Sequence, residues 1–151
     1  MAVSMEVNAL GQRISRLVAD YLFIHEAIFK FSLWRLLIPF LSKPVDYGDY
    51  RMRLHSLLWS LERQGERIVE LKNSHLLPYN TAVLLELLRE YVEALLETVG
   101  WLHAITEKLQ KESEGERYRW RAYRQDWAAY KASIAKYRAI EDQVYILYAR
   151  L

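Results

Sequence analysis

The chain contains no cysteine, and it has only five glycines and three prolines among its 151 residues. Without cysteine there is no disulfide framework, no thiolate metal site and no cysteine nucleophile. So few glycines and prolines also argue against a β-rich domain, which needs many tight turns. Because an absence of cysteine suits a reducing compartment, we expect a cytoplasmic protein.

Recognisable catalytic and cofactor motifs are also missing. The sequence has no glycine-rich phosphate loop, no zinc-protease pattern and no nucleophile elbow. Di-iron helical bundles place a histidine three residues after a glutamate on two helices, and no glutamate here has a histidine at that spacing. We therefore expect no metal and no cofactor, and a non-enzymatic protein is favoured over an enzyme.

The most apolar stretch, residues 17–41, does not have the composition of a transmembrane helix. A spanning helix needs about 20 residues with few or no charges. Asp20, Glu26, Lys30 and Arg35 interrupt this stretch. The sequence predicts a soluble protein without a transmembrane segment, and it leaves peripheral membrane contact open.

What the sequence does contain is helical periodicity. Apolar residues make up 52% of the chain and recur at alternating steps of three and four. Breaks near Pro44, Pro78 and Gly115 divide the pattern into helices near 5–41, 50–73, 81–111 and 116–150. Short connections favour antiparallel neighbours. The prediction is a single all-α domain over residues 1–151, an antiparallel up-down-up-down four-helix bundle with long helices.

The fourth helix carries the segment RYRWRAYR, in which basic and aromatic residues alternate. On a helix from residue 116, Trp120 and Tyr123 point along the core seam, and the basic residues share another face. We call that face the basic ridge, and it extends about 30 Å at 1.5 Å per residue. Its residues are Arg117, Arg121, Arg124, Lys131 and Arg138. Guanidinium groups pair well with phosphates, so the ridge is a candidate nucleic-acid-binding surface, although a solvated helix face has the same pattern.

The third helix carries the opposite charge on the side away from its leucines. Glu86, Glu90, Glu93 and Glu97 follow one another at steps of four, three and four. Like charges at these spacings repel one another in an isolated helix. This acidic stripe could meet the basic ridge of another subunit.

The first helix has an apolar series left over once its inner face is assigned. This outer strip consists of Phe23, Ala27, Trp34, Leu37 and Leu41. Monomers rarely expose a contiguous strip of this kind, so the strip predicts a homo-oligomer formed through the first helix. A bend at Gly11 or Pro39 that folds part of the strip inward is the alternative.

Three hypotheses follow, in order of preference. The first is a non-enzymatic assembly protein that self-associates through the outer strip. The second is a small helical nucleic-acid-binding subunit that uses the basic ridge. The third is a ligand-binding or catalytic bundle with a core pocket, where polar or missing side chains coincide with apolar seams at His25, Ser32, Gln64 and Gly65.

Overall fold

The computed structural model describes residues 2–37, 45–74 and 76–150, with the side chains of all of these except residues 2 and 30–37. Four α-helices fill these ranges: α1 (Ala2–Leu37), α2 (Tyr47–Ser74), α3 (Tyr79–Ser113) and α4 (Trp120–Ala149). The described ranges contain no strand, which confirms the all-α class. α1 continues unbroken through Gly11, whereas Pro39 lies outside the described residues. No described helix contains a stretch long and apolar enough to cross a membrane.

Contacts between successive helices show that neighbours run antiparallel. The end of α2 meets the beginning of α1, where Arg67 and Glu6 approach to 3.2 Å. The end of α3 meets the beginning of α4 in the same way, since Lys108 Nζ lies 2.7 Å from Asp126 Oδ2. The hydroxyl of Tyr148, late in α4, donates to the carbonyl of Val7, early in α1, at 3.2 Å. The up-down-up-down bundle is therefore confirmed.

The core is centred on α3, which packs closely against both α2 and α4. A helix with partners on two sides needs a wide apolar face, and α3 has one. Its buried large apolar residues are Leu84, Leu85, Leu88, Tyr91, Val92, Leu95, Val99, Leu102 and Ile105. α4 buries far less, with only Tyr130, Ser133, Tyr137 and Val144 inside. α4 is therefore less buried than α3, and much of its surface faces outward.

The fourth helix begins at Trp120, four residues later than predicted. Ser113 does not cap the fourth helix, because it is still the last residue of α3 and its hydroxyl donates to the carbonyl of Gln110 at 2.6 Å. Gly115 then turns the chain with a φ of +101°, a conformation that strains residues with side chains. The residues from Glu116 to Arg119 form a non-helical connection, which places Arg117 outside the helix.

Candidate nucleic-acid interface

The basic ridge is exposed along its length. Arg121, Arg124, Lys131 and Arg138 lie on α4, and Arg117 lies in the connection before it. Steps of three and seven residues keep the four helical positions on one side of α4. From Arg121 to Arg138 the ridge spans about 25 Å at 1.5 Å per residue. The one correction is that Arg117 joins the ridge from a loop, not from the same helical face.

Among the described residues, no acidic side chain forms an ion pair with the ridge. Residues 117–150 include eight basic and three acidic side chains. In the part of the chain that the structure describes, Lys136 is the only one of the eight in an ion pair, with Glu97 at 3.3 Å. Lys131 instead lies over the ring of Trp127, with Nζ 5.8 Å from the ring centroid. The positive charge of the ridge is therefore available to an external anion.

Trp120 is the largest departure from the sequence prediction. It was expected on the core seam, but 70% of its surface is exposed. Its ring stacks on that of Tyr123, with centroids 5.7 Å apart and planes inclined by 22°. Trp120 lies four residues before Arg124, so the two side chains are neighbours on the helix surface. An exposed indole thus stands among the arginines at the first turns of α4.

Ring contacts and hydrogen bonds of Tyr118 hold the stacked Trp120 and Tyr123 in place. The Tyr118 ring meets Tyr123 edge-on at 5.4 Å, and the Tyr118 hydroxyl donates to Asp126 at 2.6 Å. Burial and the Asp126 carboxylate both raise the pKa of Tyr118, so its hydroxyl keeps its proton. Burial opposes the charge on Asp126, but hydrogen bonds from Lys108 and Tyr118 outweigh it and lower the pKa of this carboxyl. Tyr118 in the connection is thereby bonded to Asp126 of α4, which in turn pairs with Lys108 of α3.

The acidic stripe of α3, in contrast, is largely neutralised within the chain. Hydrogen bonds from Arg89 and Lys72 lower the pKa of Glu86 to about 2. Arg89 also pairs with Glu93 at 2.6 Å, and Glu97 pairs with Lys136. Of the four glutamates, only Glu90 forms no ion pair with another described residue. The stripe therefore offers little free charge to the basic ridge of a second subunit.

In the outer strip of the first helix, only the side chains of Phe23 and Ala27 are among those described. Phe23 is 61% exposed, as predicted. Ala27 is buried at 8% exposure, which corrects its assignment to the outer face, because its single methyl group lies next to the buried Ile24 and Ile28. The side chains of Trp34 and Leu37 and the whole of Leu41 lie outside the described residues.

The residues of the expected core pocket do not come together. His25 meets α4, whereas Gln64 lies near the opposite end of α1, one turn before the Arg67–Glu6 pair. The Oε1 atom of Gln64 is buried without a hydrogen-bond partner in the described structure. Gly65 faces Val92, whose Cγ1 would lie 3.6 Å from an added Cβ. The side chain of Ser32 lies outside the described residues.

His25 instead takes part in a buried hydrogen-bond chain that the sequence did not reveal. The Tyr130 hydroxyl lies 2.6 Å from His25 Nδ1 and 2.6 Å from the Tyr21 hydroxyl. Tyr21 and Tyr130 are almost fully buried, and burial raises the pKa of both far above the ordinary value. The two phenols are therefore neutral. This hydrogen-bond chain joins α1 to α4 through polar groups inside the core.

We expect His25 to make the stability of the protein depend on pH. Burial and the nearby Arg138 lower its pKa below the ordinary value of 6.5, so the unfolded chain binds a proton more readily than the folded one. The stability that depends on neutral His25 is present above pH 6.5 and is lost as the pH falls. We expect the unfolding temperature to drop between pH 7 and pH 5. In His25→Gln the drop should be smaller; an identical drop would contradict this role.

Nothing outside the chain adds a functional assignment. In the described ranges no group of three or more histidine, aspartate or glutamate side chains is arranged to hold a metal ion. No protein-family model, no curated protein and no solved structure matches the chain.

Proposed function

We propose that the protein is a non-enzymatic helical bundle that binds single-stranded nucleic acid along the basic ridge. The observation that carries the proposal is the exposed Trp120, stacked on Tyr123 and surrounded by arginines that form no ion pair with the rest of the described chain. Proteins that bind single strands combine a positive track for the phosphates with aromatic rings for the bases. Both parts occur here at the same end of α4.

The geometry favours a single strand over a duplex. Phosphates of either could follow the ridge, but an exposed ring can stack only on a base that is not already stacked in a helix. The beginning of α4 adds to the positive potential, because its first turn contains no acidic residue and its N-cap, Arg119, makes no side-chain capping bond. Two acidic residues lie near this end. Asp126 is paired with Lys108, and the charge of Glu112 adds to burial in raising the pKa of Tyr118 and Tyr123.

Titration of the protein with a short single-stranded oligonucleotide tests the proposal. We expect binding in the micromolar range, with log affinity falling against log salt at a slope of about −3.5 for five phosphate contacts. Trp120→Ala should weaken binding by about 5- to 150-fold, because base–aromatic stacking contributes roughly 1–3 kcal/mol.

Trp59→Ala is the matched control for this titration. Trp59 is also exposed, at 60%, and also lies beside an arginine, with Arg63 5.2 Å from its ring centroid, but it is on the outside of α2. Its removal should leave the affinity unchanged. Equal losses in the two variants, or binding that does not respond to salt, would refute the proposal.

Self-association through the outer strip is a second candidate function, favoured by the exposed Phe23. Burial of an exposed phenylalanine side chain by a partner is favourable, because it removes apolar surface from water. Sedimentation equilibrium should then find a dimer or higher oligomer, and Phe23→Glu should shift it towards the monomer. A wild-type protein that is monomeric with and without oligonucleotide would remove this candidate.

A further inference from the structure

A second candidate site differs chemically from the basic ridge, because its charged side chain is acidic. A cleft of about 330 Å³ opens between α1, α3 and α4 in the half of the bundle away from Trp120. This volume falls at the lower end of the range for small-molecule sites, about 300–1,000 Å³. The cleft is lined by Gln12, Ser15, Tyr91, Glu141, Tyr145 and Tyr148, among others. It contains a carboxylate and three phenol rings but no basic side chain.

The carboxylate of Glu141 is the charged group of this cleft. It is half-buried and accepts a hydrogen bond from the hydroxyl of Tyr91. Burial and the Glu141 charge raise the pKa of Tyr91, so the hydroxyl remains a donor. Arg138, one turn earlier on α4, feels the charge of Glu141 but is not within ion-pair distance of it. Within the described residues, the carboxylate therefore has no cationic partner.

The wall of the cleft is fixed in position by Tyr148. Its ring crosses from α4 onto α1 at Gly11, where an added Cβ would collide with the Tyr148 hydroxyl. The same hydroxyl donates to the carbonyl of Val7 at 3.2 Å. A wall held in this way needs no rearrangement to receive a ligand, and such preorganisation lowers the cost of binding.

We propose that this cleft binds a small organic ammonium ion, with the charged nitrogen at Glu141 and the apolar part against Tyr91, Tyr145 and Tyr148. A half-buried carboxylate without a cationic partner attracts a cation, and the faces of aromatic rings attract it further. Ser15 and Gln12 supply hydrogen-bond acceptors for the remaining N–H groups. The inference is independent of nucleic-acid binding, because the ridge is positively charged and would repel such a ligand.

Calorimetric titration with phenethylammonium, and with uncharged 2-phenylethanol of the same shape, tests this site in the wild-type protein. We expect saturable binding of the amine and at least tenfold weaker binding of the alcohol. A blocked lysine residue forms a third arm, because a protein side chain offers the same ammonium group. Tighter binding of the blocked lysine would assign the site to a protein partner, and tighter binding of phenethylammonium to a free amine.

Glu141→Gln should reduce the affinity for the amine at least tenfold, because the amide still accepts from Tyr91 but carries no charge. Asp142→Asn is the matched control, since Asp142 is the exposed next residue on the same helix. Thermal unfolding of each variant verifies that it is folded. The proposal fails if the alcohol binds as well as the amine, if the two variants behave alike, or if the amine does not bind.

Discussion

Replacing Arg121 and Arg124 with glutamate is expected to weaken binding of single-stranded oligonucleotides by at least about 100-fold at low salt. Each substitution removes a phosphate contact and adds a negative charge where the strand must approach. The salt slope should also fall by about 1.4 for the two contacts, at about 0.7 per phosphate. Both side chains are exposed and form no ion pair with other described residues, so the free energy of unfolding should change by less than about 0.5 kcal/mol each.

Arg13→Glu with Arg16→Glu provides the matched control. These arginines are also exposed, also three residues apart on a helix, and their reversal changes the net charge by the same amount. If binding depended only on the overall charge of the protein, the two double variants would lose affinity equally. The basic ridge predicts that the α1 variant keeps affinity within about threefold of wild type, a difference of roughly 0.7 kcal/mol.

Tyr130→Phe is expected to lower the free energy of unfolding by about 2–4 kcal/mol, although it removes one oxygen atom. Its hydroxyl is the shared partner of His25 and Tyr21, so its loss leaves two polar groups without that bond. Tyr21 is only 1% exposed and cannot turn to water instead. The unfolding temperature should fall by roughly 5–15 °C for a chain of this length.

Two further variants test whether the loss of stability in Tyr130→Phe comes from the hydrogen-bond chain or would follow any such substitution. Tyr145→Phe removes a hydroxyl from a residue that is 63% exposed, and it should change stability by less than about 0.5 kcal/mol. Adding Tyr21→Phe to Tyr130→Phe removes a stranded hydroxyl, so the double variant should lose less stability than the two single losses combined. Strictly additive losses would show that the two hydroxyls are not coupled.

Periodicity was sufficient to predict the helices, their number and their antiparallel order, because each apolar stripe implies a partner along its length. Periodicity could not predict how far along each helix the packing against its partners extends. Trp120 continues the seam of α4 in sequence, but the fully buried side chains of α4 begin only at Tyr130. A helical wheel assigns a face to each residue, not the depth at which that face lies, and the sequence misplaces Trp120 for this reason.

The hydrogen-bond chain was beyond prediction for a different reason. Tyr21, His25 and Tyr130 could each be placed on an inner face, but their meeting depends on the relative axial position of α1 and α4. One sequence does not determine that register to within the 2.6 Å of a hydrogen bond. The neutralised acidic stripe is similar, since Lys72 and Lys136 reach Glu86 and Glu97 from other helices.

The most direct test of nucleic-acid binding is an amide chemical-shift titration of the isotope-labelled protein with a single-stranded oligonucleotide. We expect the shifts to cluster from Arg117 to Arg138 and the Trp120 indole N–H to move most among the tryptophans. The outer face of α2 around Trp59 should stay unchanged. Shifts that centre on α1 or α2, or no shifts at low salt, would contradict a binding surface on the fourth helix.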